Sequence, residues 1–128
     1  MRDFRKYRIW NDAICITDTI YSLTEQFPSK ETYALSNQMQ RAAVSIASNI
    51  AEGASRESPL EFARFLEIAI GSAFEVETQL TIAFQRSYIS FEEYQKIISS
   101  LQKEEKGINT FIQTIKQTKK GQEPIANS

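Results

Sequence analysis

Apolar residues in this chain recur at intervals of three and four along nearly its whole length, not at intervals of two. That spacing marks one face of an α-helix, whereas a half-buried strand needs a repeat of two. The chain is thereby restricted to architectures that pack helix on helix. Only four Gly and three Pro are present, and most of them sit at the ends of the periodic segments.

The first predicted helix runs from Ile9 to Gln26, with a stripe of Trp10, Ala13, Ile14, Thr17, Ile20, Tyr21 and Thr24 that Ile9, Ile16, Leu23 and Phe27 widen. Pro28 ends it, because proline disfavours helix in the residue before it. The second runs from Lys30 to Glu52, with an irregular first turn before Ser36. Its apolar face is Leu35, Met39, Ala42, Ala43, Ile46, Ala47 and Ile50. Gly53 is expected to close it in the left-handed conformation.

Ser58-Pro59-Leu60-Glu61 then opens a third helix with Ser at the N-cap, Pro at the first helical position and Glu three residues after the cap. It extends to Arg86 on a stripe of Phe62, Leu66, Ala69, Ala73, Val76, Leu80 and Ala83. Ser90-Phe91-Glu92-Glu93 repeats the capping box. The fourth helix follows on Phe91, Tyr94, Ile98, Leu101, Ile108, Ile112 and Ile115, interrupted by Glu105 and weakened at Gly107.

Short connections make consecutive helices antiparallel neighbours. The predicted fold is an all-α, up-down-up-down four-helix bundle, one domain over residues 1–118, followed by a polar and disordered tail at 119–128. Phe65, Ile68, Ile70 and Phe84 fall outside the main face of the third helix. Such surplus apolar surface marks a partner, so an oligomer is expected.

With 128 residues, about two-thirds of the unfolded surface can be buried, enough for a core without disulfides or metal. No uncharged run approaches the roughly 20 apolar residues of a bilayer span. The opening Met1-Arg2-Asp3-Phe4-Arg5-Lys6 is not expected to be a secretory signal. The expected setting is cytoplasmic.

Histidine is absent. That excludes Ser-His and Cys-His nucleophile pairs, His-ligated zinc and the Glu-x-x-His di-iron motif. The single cysteine, Cys15, allows no internal disulfide and no thiolate cluster, and it reads as a buried small hydrophobe. No cofactor, metal or catalytic residue is expected.

Two segments carry an unusual mixture of small and polar residues. Arg41, Ser45, Asn49 and Glu52 share one face of the second helix, and Ser72, Glu75 and Gln79 share one face of the third. Folding the helices together brings Asn49 towards Arg64, and Arg41 towards Ser72 and Glu75. An Arg41–Glu75 ion pair or a shared hydrogen-bond network between the second and third helices, fixing their register, is the expected result. The alternative is an acid-base or metal site built from Asn49, Glu52 and Glu75, which requires a pocket and converging ligands.

Formal net charge is −1 and the pI about 5.6, so nucleic-acid binding would need a local patch. Arg2, Arg5, Lys6 and Arg8 supply one, interleaved with Phe4, Tyr7 and Trp10, and Lys116, Lys119 and Lys120 add to it. Phosphate contacts with aromatic stacking suit RNA. In the other reading the aromatics pack on the bundle and the cations form a solvated face.

The run Gln38-Met39-Gln40-Arg41-Ala42-Ala43-Val44-Ser45-Ile46-Ala47-Ser48-Asn49-Ile50-Ala51-Glu52-Gly53 resembles the signature of proteins encoded in intervening sequences of bacterial 23S rRNA genes. So does the run from Phe65 to Leu80, as do Trp10-Asn11-Asp12-Ala13 and Phe27-Pro28. The resemblance covers residues 4 to 115. It implies a small antiparallel four-helix bundle that assembles as a ring-shaped homopentamer and has no enzymatic activity. The family includes an accessory protein of diversity-generating retroelements that binds nucleic acid and a reverse transcriptase through basic surface.

The expected function is a non-catalytic, oligomeric accessory protein touching RNA or a ribonucleoprotein. The alternatives are a protein-binding scaffold using the surplus apolar faces and a carboxylate-dependent enzyme.

Overall fold

The first strongly periodic segment forms helix α1, Arg8–Thr24. It is preceded by a 3-10 turn at Phe4–Lys6, capped by the Asp3 carboxylate accepting from the Arg5 backbone N–H. The structure, a computed structural model, describes residues 2–117. The polar tail expected at 119–128 and the cations Lys119 and Lys120 lie outside the described residues.

After Pro28 the chain makes a second 3-10 turn at Ser29–Glu31 and only then enters helix α2, Leu35–Ala54. The irregular stretch before Ser36 is thus longer than one turn. Helix α3 spans Pro59–Gln85 and helix α4 spans Phe91–Gln117. Both starts carry the hydroxyl caps read from the sequence: Ser58 Oγ accepts from the Glu61 N–H at 3.3 Å, and Ser90 Oγ from the Glu93 N–H at 3.1 Å. In the second, the Glu93 carboxylate also accepts from the Ser90 N–H at 3.0 Å, which completes the box.

Each helix packs on the next in sequence, and α4 closes the ring by packing on α1. Cross-helix contacts run in opposite directions along successive helices: between α1 and α2 Thr24 bonds Gln40 while Thr17 bonds Ala43, and between α2 and α3 Gly53 lies against Phe62 while Ser45 bonds Ser72. The bundle is therefore antiparallel, as expected. Its core is lined by Ile20, Met39, Ile46, Ile50, Leu66, Val76, Leu80, Leu101 and Ile108. One end is sealed by Tyr7, Phe62 and Phe111, whose ring centroids lie 4.8 to 6.3 Å apart. The other end is tied by Glu31, which accepts from the Tyr88 hydroxyl at 2.7 Å and the Leu35 N–H at 3.3 Å.

Four local expectations are corrected. Gly53 does not close α2 in the left-handed conformation; it lies inside the helix, and a Cβ there would sit 2.8 Å from Phe65 Cβ and 2.9 Å from Phe62 Cδ1. Its role is close approach. Left-handed geometry instead falls on Ser87, at φ 63°. There the Tyr88 N–H reaches the Ala83 carbonyl and the Ser87 N–H reaches Phe84, the bond pattern that satisfies the last carbonyls of α3.

Ile14 and Tyr21 face outward, and the buried stripe of α1 is Ile9, Ala13, Ile16, Ile20 and Leu23. Cys15 is exposed, because its neighbours Ala13 and Ile16, one on either side of the Ile14–Cys15 pair, take the core-facing positions. In α4 the buried stripe runs Ile97, Leu101, Glu104, Ile108, Phe111, Ile112 and Ile115. A carboxyl at 104 occupies a core position, and the adjacent Glu105 is half-buried.

Candidate functional site

The N-terminal cations converge with a residue from elsewhere in the chain. α1 and α3 start at one end of the antiparallel bundle, and α2 and α4 finish there, so the segment before α1 lies beside the α2–α3 turn. The Arg2 guanidinium donates to the Arg56 carbonyl in that turn. It also lies 4.9 Å from the centroid of the Phe62 ring. The Arg56 guanidinium sits over Phe65 at 4.8 Å, and that of Arg5 over Phe4 at 4.6 Å.

Guanidinium faces laid on aromatic rings are attracted by the ring quadrupole, and the N–H groups that are not already given to the Arg56 carbonyl or to Asp3 are left for an incoming acceptor. Lys6 and Arg8 are exposed on the same end, and Arg64 is exposed in the second turn of α3. The segment is pinned by Asn11, whose side-chain amide donates to the carbonyls of Arg5 and Tyr7 at 3.0 and 2.9 Å.

Asp3 offsets part of this charge through an ion pair with Arg5 at 3.2 Å. Its carboxyl is held below the usual range, chiefly by the Arg5 backbone N–H. Arg56 was not among the sequence candidates. The signal that could have found it is the short span between Gly53 and Pro59, which returns the chain to the end where it began.

The aromatics of this end are committed to packing. Tyr7 is buried among Phe62 and Phe111, and Phe4 meets Trp10 edge-on at 5.1 Å. The surface offered is one of cations, with the rings beneath them.

The polar stripes of α2 and α3 meet, but over fewer residues than the sequence suggests. Ser72 Oγ donates to Ser45 Oγ at 2.9 Å across the seam. Asn49 donates to the Ser45 hydroxyl and carbonyl at 2.9 and 2.8 Å. Gln79 donates to Glu75 at 3.4 Å within α3.

The expected Arg41–Glu75 ion pair does not form. Arg41, Glu52, Glu75 and Arg64 are all exposed, since long charged side chains extend to water more cheaply than they fold into a tight seam. Asn49, Glu52 and Glu75 do not converge on a point. Among the described residues no cluster of three or more acidic or cysteine side chains could hold a metal ion.

The remaining titratable features lie on α4. Burial, followed by the charge of Asp12, pushes the Glu104 carboxyl up to about 8. Glu105 is also raised, by burial and by its hydrogen bond to Glu77. A groove of about 440 Å³ separates α1 from α4, with Ile16, Leu23 and Ile97 among its lining and Asp12, Glu93, Lys96 and Lys103 bringing charge to it. No helix among the described residues is long and apolar enough to cross a membrane.

Comparisons with known proteins bear on this bundle. No curated protein matches the chain. A crystal structure of a protein of unknown function from the S23 ribosomal protein family of Bacteroides thetaiotaomicron is similar, with a TM-score of 0.73 and 24% identity. The match covers 81% of this chain and 97% of that one, and at this identity it speaks to the fold. A sequence model for 23S rRNA-intervening sequence proteins matches residues 5–110, a span that includes four of the five clustered N-terminal and turn cations and both polar stripes. With most of its length matched in this way, the chain belongs to the 23S rRNA-intervening sequence protein family.

Proposed function

We propose that this protein is a non-catalytic accessory protein that binds RNA or another nucleic acid through the basic end of the bundle. The observation that carries the reading is the convergence of Arg2, Arg5 and Arg56 on aromatic faces beside exposed Lys6 and Arg8. Held guanidiniums lose little freedom when they meet phosphate oxygens, and they can do so with two N–H groups at once. Because Tyr7 and Phe62 are buried and Phe4 packs on Trp10, the mode is phosphate contact rather than base stacking. Binding of this kind weakens steeply with salt and carries little sequence information.

The test is a salt-titrated binding assay with structured RNA and duplex DNA, comparing the wild type with an Arg5/Lys6/Arg8/Arg56→Ala variant of unchanged helicity. Loss of affinity with a shallower salt slope in the variant supports the reading. Equal affinity in both, or no binding at low salt, removes it.

A second reading concerns self-association. Leu60, Ile68 and Ile82 are exposed along α3 with Phe74 beside them, and a Cβ at Gly71 in the middle of this face would meet nothing within 4 Å. An open glycine on an apolar helix face suits close approach by a second copy, and a ring-shaped homopentamer is the assembly expected of it. An Ile68→Glu variant that sediments as a monomer beside an oligomeric wild type supports this face; an unchanged oligomer rejects it.

A further inference from the structure

Two neighbouring carboxyls in the middle of α4 have no part in the basic end or the α3 face. Glu104 is 2% exposed, between Leu101 and Ile108 on the buried stripe. Neither of its oxygens has a hydrogen-bond partner. The charged group that acts on it from α1 is Asp12, another acid. Glu105 is half-buried, Glu77 of α3 raises its carboxyl, and its Oε2 has no partner. The cations nearest in sequence, Lys103 and Lys106, are on α4 itself, exposed and along surface grooves. Each of the two seams that hold α4 therefore places acid against acid.

A buried carboxyl without partners is tolerated as the neutral acid and strongly disfavoured as the anion. Two carboxyls can hydrogen-bond each other only if one of them holds a proton. Ionising Glu104 in place would leave a bare charge beside Asp12, so ionisation must admit water. The route is already present. Asp12 lines the groove between α1 and α4, and that groove follows α4 as far as Lys103, next to Glu104. Gly107, one turn on, meets Ile9 Cγ2 at 3.2 Å where a Cβ would stand, and glycine in a helix interior eases local distortion.

We infer that Glu104 and the Glu77–Glu105 pair form a proton-operated clasp: protonated, they let α4 seal against α1 and α3, and deprotonated, they open the α1–α4 seam while α2 and α3 stay closed. With the Glu104 carboxyl raised from 4.5 to about 8, the clasp loosens progressively as pH rises between those two values.

The experiment is native-state hydrogen exchange on the full chain from pH 5.5 to 9, corrected for the intrinsic rise of exchange with hydroxide. Opening of the amides from Ser100 to Phe111 should increase by up to about tenfold per pH unit between roughly 5 and 8 for one such carboxyl. Amides of α2 and α3 around Ser45 and Ser72 should hold their protection. A Glu104→Leu variant should lose most of the increase, and Glu105→Gln, on the half-buried side, should lose part of it even if the first variant folds poorly. Opening that does not change with pH, an equal increase in α2 and α3, or an undiminished increase in the folded Glu104→Leu protein would overturn the clasp.

Discussion

The seam between α2 and α3 and the seam between α1 and α4 solve the same packing problem with different residues. Across the first, Ser45 and Ser72 approach closely enough for their hydroxyls to bond at 2.9 Å, and Gly53 lets the Phe62 and Phe65 side chains press on the α2 backbone. Across the second, longer side chains leave a groove of about 440 Å³, and a carboxyl at the core position has no partner. Short neutral polar groups complete their hydrogen bonds inside a seam and can be buried without any change of charge. A carboxyl must be neutralised by a proton, so the second seam inherits a dependence on pH that the first lacks.

The largest effect that would break this contrast concerns Glu104. Its folded value of about 8 lies above the unfolded value of 4.5, so the native state holds the proton more tightly. The associated stability is fully present below pH 4.5 and is lost as pH climbs towards 8. At 1.36 kcal/mol per unit, chemical denaturation should find the wild type weaker at pH 8.5 than at pH 5 by ~4 kcal/mol from this carboxyl, with Glu104→Leu keeping only the part of the pH dependence that comes from the raised Glu105. Parallel pH profiles for the two proteins would erase the distinction between the seams.

Next comes Gly53→Ala. The added methyl would lie 2.8 Å from Phe65 Cβ, an atom fixed to its backbone, so thermal melts should report a loss of about 1–3 kcal/mol. Gly71→Ala is the control: with nothing within 4 Å, it should raise the stability of an unassociated chain by about 1 kcal/mol through helix propensity. If a second copy packs there, the same substitution should lower assembly, which sedimentation would reveal.

The smallest effect is Ser72→Ala, which removes the bond to Ser45 and should cost about 1 kcal/mol by urea denaturation. The cost should be the same at pH 5 and pH 8.5, since neither hydroxyl titrates in that range. A cost that varied with pH would mean that the α2–α3 seam also senses protons.

Legibility differed between backbone features and side-chain partners. The caps at Ser58 and Ser90 and the stripe Phe62, Leu66, Ala69, Ala73, Val76, Leu80 and Ala83 could be read directly, because helix starts and apolar periodicity are local. α4 was harder to read. Glu104 breaks the apolar repeat at the position where it enters the core, so the spacing reaches the exposed Phe91 and passes over the buried Ile97 and Phe111. Arg41 shared a helix face with Ser45 and Asn49, yet only the short side chains joined across the seam. A shared face does not determine whether a long cation turns inward or follows its stem to water. The basic end was half visible: Arg2, Arg5, Lys6 and Arg8 are consecutive enough to notice, whereas Arg56 joins them only through the α2–α3 turn.

The amino-acid order alone determined an all-α chain of four helices, the capped starts of α3 and α4, most of the apolar faces and the family resemblance. These properties depend on neighbours within a few residues and on the 3.6-residue turn of the helix. Tertiary structure decided that Gly53 serves close approach and not termination, that Ser87 takes the left-handed turn, that Arg56 meets Arg2, and that Glu104 is sealed beside Asp12. Arg56 and Glu104 meet groups far away in sequence, Gly53 meets rings on the next helix, and Ser87 turns where α3 gives way to α4; burial and partnership are properties of the assembled bundle.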